Sequence, residues 1–445
     1  MKKQKTSQKT FNLSPPSMLA LGFLSFIVAG TLLLKLPISN NGHLSWMDAF
    51  FTATSAVTIT GLSVINIGQS LTHIGQIILL LLIQCGGLGF MTFAILAALS
   101  LAPQLGLKQQ LMAQDSMGQT SLSKVTFIAQ AVFIYTLIFE LIGTCILTVA
   151  WMKQFGFLHA LYYAFFYSIS AFNNAGFSLF PNNLMNFQTH YIACLTISFL
   201  YILGGLGFLV LMDIKERKRW KKLSPNSKIV IISIGILNVA AFLIIWLLEA
   251  NNPLTLYSMS FGEQALNAWF QATVPRSSGF NTIDIASMNN SSTLLTMFLM
   301  FIGGGSLSTA GGIKVGTFVI LVFSVIAFLK RHDEVRIFNH AISYENTFKA
   351  LAVVVITLIL IFIGFFTILI LEPHKNFLDL FFEIVSAACT VGLSRGITPQ
   401  LNNSSLFVLS LLMYAGRLGP LTLAYLIATP KKSRLKHPSA DIQIG

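Results

Sequence analysis

Long apolar runs broken by short polar punctuation divide the chain into pairs of hydrophobic stretches. The first of each pair covers about residues 18–36, 126–151, 229–248 and 348–371; the second covers about 71–101, 191–211, 293–329 and 406–429. Each is long enough to cross a hydrocarbon core of ~30 Å at ~1.5 Å per residue. Between the two members of every pair lies a shorter aromatic stretch carrying Phe50-Phe51, Phe165-Phe166, Ala268-Trp269 or Phe381-Phe382. These stretches are too short to span, so the pattern predicts re-entrant helices, which survive at membrane depth only where protein or a watery cavity surrounds them. The expected fold is an all-α membrane protein: four tandem helix–pore-loop–helix units around a pseudo-fourfold pore, with eight transmembrane helices and four re-entrant pore helices. The units are placed at 14–115, 116–225, 226–340 and 341–430, with a tail at 431–445.

Each aromatic stretch runs into one repeated element. The four copies are Ser55 to Ser63, Ser170 to Ser178, Thr273 to Asn281 and Ser386 to Ser394. A hydroxyl residue stands six positions before a glycine in every copy, and Leu or Phe follows that glycine. The glycines are Gly61, Gly176, Gly279 and Gly392. An ion crossing lipid needs oxygens in place of its water shell, and inward-pointing backbone carbonyls supply them without fixed charge. Such backbone angles are costly for residues with a Cβ, which accounts for the glycines. The preceding residues differ: Thr58-Ile59-Thr60, Asn173-Asn174-Ala175, Arg276-Ser277-Ser278 and Cys389-Thr390-Val391. That variety suits main-chain ligands, and no ring of Asp or Glu is present. Arg276 is expected to turn away from the pore and brace the filter from behind, against Asp284 or Asp48.

The second span of the third unit is too long for one helix and reads Gly303-Gly304-Gly305-Ser306-Leu307-Ser308-Thr309-Ala310-Gly311-Gly312 at its middle. Five glycines, each about 1 kcal/mol worse than Ala in a helix, break it here. The expectation is a polar loop below the filter that obstructs the pore and moves aside. In the other units, Gly86-Gly87 and Gly204-Gly205 read as close helix packing. Lys314 follows the loop and is expected to anchor it or to meet the cytoplasmic surface. Arg417 lies mid-span in the fourth unit, where an unpaired cation costs roughly 2.5–3.5 kcal/mol. Two readings stay open for it: a place near the pore, tuning flow or holding the loop, and a buried structural pair, with Glu140 also in need of a partner.

Composition agrees with this picture. Of 445 residues, 54% are hydrophobic and only 10% are charged, with a mean hydropathy of +0.74; soluble domains carry about 25% charged residues. The net charge of +13 does not mark a nucleic-acid binder. Its lysines and arginines cluster at 2–9, 215–228, 330–349 and 431–436, flanking apolar runs, and so place both termini in the cytoplasm. Cys85, Cys145, Cys194 and Cys389 fall in apolar or filter segments and suggest no disulfide framework. The first apolar run lacks a small-residue cleavage signal before Lys35 and reads as a retained helix.

Together, Thr58-Ile59-Thr60-Gly61-Leu62, Asn173-Asn174-Ala175-Gly176-Phe177, Cys389-Thr390-Val391-Gly392-Leu393 and Ser308-Thr309-Ala310-Gly311-Gly312-Ile313-Lys314 resemble the Trk/Ktr/HKT superfamily of potassium transporters, and most of all its bacterial Ktr-type membrane subunits. The resemblance covers the chain from about Ser14 onward. It implies potassium uptake across the bacterial cell membrane, often stimulated by sodium, by a homodimer of two separate pores. Selectivity would rest on the four glycines, the gate on 303–312, and Arg417 would be the pore-proximal arginine. Pro275-Arg276-Ser277-Ser278 departs from the more usual Arg-Thr-Ala, and Cys389 replaces a small residue. Ktr-type subunits pair with a cytosolic nucleotide-binding ring. This chain has no Gly-rich phosphate loop after a strand, so no cofactor is expected in it beyond permeant potassium and activating sodium.

The alternatives are a secondary carrier for sodium or a small solute and an integral membrane enzyme. A carrier built on inverted repeats predicts twofold internal symmetry and a midplane carboxylate, whereas these repeats are direct and fourfold. An enzyme needs converging His, Asp or Glu, which the spans nearly lack apart from Glu140.

Overall fold

The structure, a computed structural model, describes residues 15–42, 44–89 and 122–427. The predicted part of the second span beyond residue 89, the unit boundary at 115/116, the tail at 431–445 and the two terminal basic clusters lie outside the described residues.

Four outer helices carry the longest apolar runs: α1 (Pro15–Lys35), α5 (Leu122–Phe155), α9 (Pro225–Glu249) and α13 (Tyr344–Leu371). Among the described residues these four are long and apolar enough to cross a membrane individually, yet only 39%, 39%, 28% and 22% of their apolar windows are buried within the chain. Their outward faces present Leu24, Val28, Ile138, Leu141, Val239, Leu243, Phe362 and Phe366. In water such a surface would aggregate; against lipid it is the expected boundary.

Inside them lie four short helices: α2 (Trp46–Val57), α6 (Phe157–Phe172), α10 (Phe261–Thr273) and α14 (Phe377–Ala388). At 12, 16, 13 and 12 residues they fall short of a span. Their starts are fixed locally. Ser45 and Asp48 form a capping box on α2, Ser260 and Glu263 form one on α10, and the Asn376 side chain accepts the Leu378 N–H at the start of α14. Phe51, Phe166 and Phe382 are fully buried, one from each of the expected aromatic pairs.

The predicted second spans differ from expectation. None of them is one continuous helix. The first unit has a single turn α3 (Ile67–Ser70), then α4 (His73–Leu88) ending at Gly89; the second has α7 (Tyr191–Leu206) and α8 (Phe208–Arg217), which meet at 90° across Gly207. The third has α11 (Asn290–Phe301) and α12 (Val315–Leu329) on either side of a loop, and the fourth has α15 (Asn403–Leu418) and α16 (Pro420–Ile427) across Gly419. Gly89, Gly207 and Gly419 share φ of 79°, 96° and 83° with ψ of 142°, 138° and 145°. That region is open essentially to glycine alone. Hydropathy is blind to such a break, because the apolar run continues through it. The antiparallel pair β1 (Val335–Ile337) and β2 (His340–Ile342) was likewise not anticipated; its turn residues Phe338 and Asn339 both have positive φ.

Packing closes the four units into a circle. Helix α4 packs on α6 of the next unit, α7 on α10, α11 on α14, and α15 returns to α2. Glycines permit the approach. A Cβ on Gly86 would strike the Val57 carbonyl, one on Gly204 the Phe172 carbonyl, and one on Gly416 the Ala388 carbonyl. Val57, Phe172 and Ala388 are the last residues of their pore helices, so each glycine seats a pore-helix C-terminus.

Candidate ion-conduction site

Each pore helix ends where the repeated element turns. Thr58, Asn173 and Cys389 have φ of −83°, −78° and −94°. The next residues, Ile59, Asn174 and Thr390, have φ of 49°, 57° and 49°, and Ser277 in the third unit has φ of 71°. The glycines follow two positions later at 93°, 68°, 70° and 87° for Gly61, Gly176, Gly279 and Gly392. Two left-handed residues per segment, separated by one of ordinary φ, swing successive carbonyls toward the same side. Sequence reasoning found the glycine but missed the other left-handed position, because a β-branched Ile or Thr gives no hint of it. Such residues cost about 1–3 kcal/mol each and persist only where their surroundings impose them.

Hydrogen bonds impose them here. Ser55 accepts the Thr60 N–H on its carbonyl at 2.8 Å and the Gly61 N–H on its hydroxyl at 3.0 Å; Ser386 does the same for Val391 at 2.8 Å and Gly392 at 3.0 Å. The Ser170 carbonyl accepts from Ala175 at 2.8 Å, but its hydroxyl donates to the Phe177 carbonyl at 2.9 Å. Thr273 instead pairs with the Tyr201 hydroxyl at 2.6 Å. The hydroxyl six before the glycine therefore braces the turn directly in the first and fourth units, and serves other contacts in the second and third.

The glycines meet in chain order. A Cβ on Gly61 would reach Ala175 and Gly176; on Gly176, Ser278 and Gly279; on Gly279, Val391 and Gly392; and on Gly392, Thr60 and Gly61. The ring is closed, and all four line one cavity of about 390 Å³ together with Ser63, Asn281 and Ser394. The C-termini of the pore helices converge on this ring and set the negative ends of their dipoles toward it, which favours a cation.

The 303–312 segment lies directly beneath. Thr309 donates its N–H to the Gly204 carbonyl at 3.3 Å and its hydroxyl to the Phe172 carbonyl at 3.2 Å, while Gly305 donates to the Gly205 carbonyl at 2.8 Å. Gly303 and Ile313 pair across the base of the loop at 2.9 Å, and the Leu307 carbonyl accepts the Phe208 N–H at 3.0 Å, beside the kink at Gly207. The Ser277 hydroxyl accepts the Gly311 N–H at 2.9 Å and donates to the Thr390 carbonyl at 2.6 Å, so a filter carbonyl of the fourth unit is engaged through the loop's own anchor. Thr309, Ala310 and Gly311 are buried, whereas Ser306 at the loop's edge is exposed and Leu307, Ser308 and Gly312 are partly so.

Two half-buried cations, Lys314 and Arg417, hold this loop. Lys314 donates to the Ala310 carbonyl at 2.6 Å. Arg417 donates through Nη1 to the Thr309 carbonyl at 3.0 Å and through Nη2 to the Gly86 carbonyl, and lies over the Phe23 ring at 5.9 Å. Glu140 is not its partner; that carboxylate accepts from Asn173 at 2.9 Å and Gln84 at 3.3 Å. Arg276 does lie behind the filter, but not on the expected acids. It is buried beside Tyr201, Ile234, Thr273 and Gly304, with Nη1 lacking a hydrogen-bond partner. Asp48 is taken by its capping box and Asp284 by Ser287 and Ala286. Asp379 does meet a cation near the outer ends of the pore helices, its carboxylate binding Arg395 Nε at 2.6 Å. Arg395 also reaches the Ile285 carbonyl at 3.2 Å, the Ala286 carbonyl at 3.1 Å and the Thr293 hydroxyl at 3.0 Å, tying the outer loops of the third and fourth units. The sequence signals this staple only in that Asp48 and Asp379 both stand thirteen positions before a filter glycine.

The TrkH family model, described as cation transport protein, matches residues 18–436. The chain belongs to the TrkH cation transport family. Within it, the Ktr system potassium uptake protein B of Bacillus subtilis is 41% identical over 437 residues, covering 98% of each chain. The potassium/sodium uptake protein NtpJ of Enterococcus hirae is 33% identical, over 97% of this chain and 98% of its own. The crystal structure of the potassium transporter TrkH from Vibrio parahaemolyticus superposes with a TM-score of 0.75 at 22% identity, over 96% of this chain and 87% of that one. The TrkH fold, all-α and built for a membrane, is thus shared.

Proposed function

We propose that this protein takes up potassium across the cell membrane through a channel-like pore whose selectivity filter is made of the backbone carbonyls of residues 58–61, 173–176, 276–279 and 389–392. The closed ring of Gly61, Gly176, Gly279 and Gly392, with left-handed residues alternating into it, carries this reading. Four carbonyl-bearing strands around one axis can replace the hydration shell of a naked monovalent cation. The names of the relatives, potassium uptake and potassium/sodium uptake, support potassium as cargo and a part for sodium in transport; on this reading sodium acts as a stimulant.

The loop 303–312 is the gate on this reading, with Lys314 and Arg417 as its fastenings, since it fills the space under the filter and is bound mostly through backbone groups that can exchange partners. The driving force is the membrane potential, about 2.3 kcal/mol per charge per 100 mV. Both termini are cytoplasmic by the distribution of lysine and arginine. The relative's place in a Ktr system supports a second subunit; on this reading the chain works as a homodimer under a cytosolic nucleotide-binding ring.

Expression in a bacterium lacking its own potassium uptake tests the proposal. Growth at low potassium, faster with added sodium, is expected; failure to grow despite a well-inserted protein overturns it.

A further inference from the structure

Glu140 is a carboxylate at membrane depth that the conduction path does not use. It sits on the outer helix α5 and is 5% exposed. Among the described groups within reach, no cation faces it: Gln84 on α4 donates to Oε2 at 3.3 Å, and Asn173 donates to Oε1 at 2.9 Å. An intramembrane carboxylate without a counter-cation is costly and marks a functional place.

What it touches is the filter. Asn173 opens the second filter segment, and its Nδ2 faces three acceptors: Glu140 at 2.9 Å, the Gln84 side chain at 2.8 Å and the Ile169 carbonyl at 2.9 Å. Two hydrogens serve three oxygens, so the amide is held by a full cage of acceptors. Its oxygen is buried and unpartnered, pressed onto Gly87, where any Cβ would collide with it. The corresponding positions are held differently. Thr58 bonds its own helix at Thr54 and its neighbour Thr60, Cys389 is a thiol, and Arg276 lies against Tyr201. Among the four, Asn173 is the position whose side chain is tied to a carboxylate on an outer helix and to the inner helix of the preceding unit.

The same turn of α4 also carries the gate's fastening. Two residues after Gln84, the Gly86 carbonyl accepts from Arg417, which holds Thr309; and Thr309 bonds the Phe172 carbonyl, next to Asn173. We infer that Glu140 is a specificity-determining positioning residue: through Asn173 and Gln84 it fixes the second filter strand against α4 and so sets discrimination among monovalent cations. This rests on the potassium-pore reading above. A Gln at 140 keeps the volume and one acceptor but offers an amide where Gln84 donates, so it removes the charge and strains the cage without opening a cavity.

The experiment is competitive uptake of tracer rubidium against potassium, sodium and caesium by full-length protein in proteoliposomes, comparing the wild type with Glu140→Gln, Gln84→Ala, and Glu140→Gln combined with Asn173→Asp. The expected result is a loss of about tenfold in potassium-over-sodium preference for Glu140→Gln, with a raised KM and a maximal rate that changes less. The double variant sets a carboxylate oxygen at position 173 against the Gln84 side-chain oxygen and the Ile169 carbonyl, and is expected to lose more preference than Glu140→Gln alone. If Glu140→Gln proves poorly folded by its melting temperature, Gln84→Ala gives the reading, with a smaller loss in the same direction. Ion preference equal to wild type in a folded single variant overturns the inference. A wild type that transports no potassium would instead overturn the pore reading, so the two failures are distinct.

Discussion

The Arg417 guanidinium and the Thr309 carbonyl lie 3.0 Å apart, joining the inner helix of the fourth unit to the loop that belongs to the third. The same side chain reaches the Gly86 carbonyl at the C-terminal end of α4, where a helix dipole welcomes a cation. One arginine thus spans three of the four units just below the filter. Arg417→Gln shortens the reach and removes the charge. Potassium flux at saturating concentration is expected to rise several-fold; a folded variant with wild-type flux would count against a fastening role.

Gly311 gives a gentler handle on the same loop than deletion, because deletion would also remove the Gly311 N–H that the Ser277 hydroxyl accepts. A Cβ at Gly311 would collide with the Thr390 hydroxyl and the Cys389 carbonyl. Gly311→Ala is therefore expected to push the loop off its seat and raise basal flux. Gly316→Ala is the control, since nothing lies within 4 Å of the added Cβ. Equal flux in the two variants would refute the seat.

At Gly61 a Cβ would meet the Ala175 carbonyl, and at Gly392 the Thr60 carbonyl, both at positive φ. Gly61→Ser and Gly392→Ser should each widen or twist the ring and lower the preference for potassium over sodium by about tenfold or more. Competitive uptake reads this directly. Unchanged discrimination in both would remove the glycine ring from the selectivity argument.

The braces behind the filter should not be equivalent. Ser55→Ala and Ser386→Ala each leave a glycine N–H of the ring without its acceptor, a loss of about 1–3 kcal/mol. Ser170→Ala removes a bond to the Phe177 carbonyl instead. The potassium KM is expected to rise in the first two and to move less in the third.

The Arg395 side chain makes four hydrogen bonds, to Asp379, to Thr293 and to the Ile285 and Ala286 carbonyls. Lysine keeps the charge but not the planar fork. Arg395→Lys should lower thermal stability in detergent by about 2 kcal/mol, with ion preference little altered because the ring's own braces remain. Wild-type melting behaviour would show the staple to be idle.

Much of this protein is written locally. Apolar runs of spanning length, aromatic helices between them and four glycines in register depend only on residues near one another in sequence, so the all-α repeat, the register of the four glycines and the helix break at 303–312 could be read from the chain. The tertiary structure decided what depends on distant partners. Ile59 and Thr390 adopt left-handed φ because braces and neighbouring strands hold them there, against their own preference. The breaks at Gly89, Gly207 and Gly419 do not interrupt hydropathy and so leave no trace in it. Glu140 and Arg417 are held by amides and carbonyls instead of opposite charges, and Arg276 is buried beside Tyr201 instead of on an acid. An ion held within the fold settles on whichever oxygens or amides lie within about 3 Å, and for Glu140 and Arg417 those come from positions 33 to 331 residues away, beyond the reach of any local pattern.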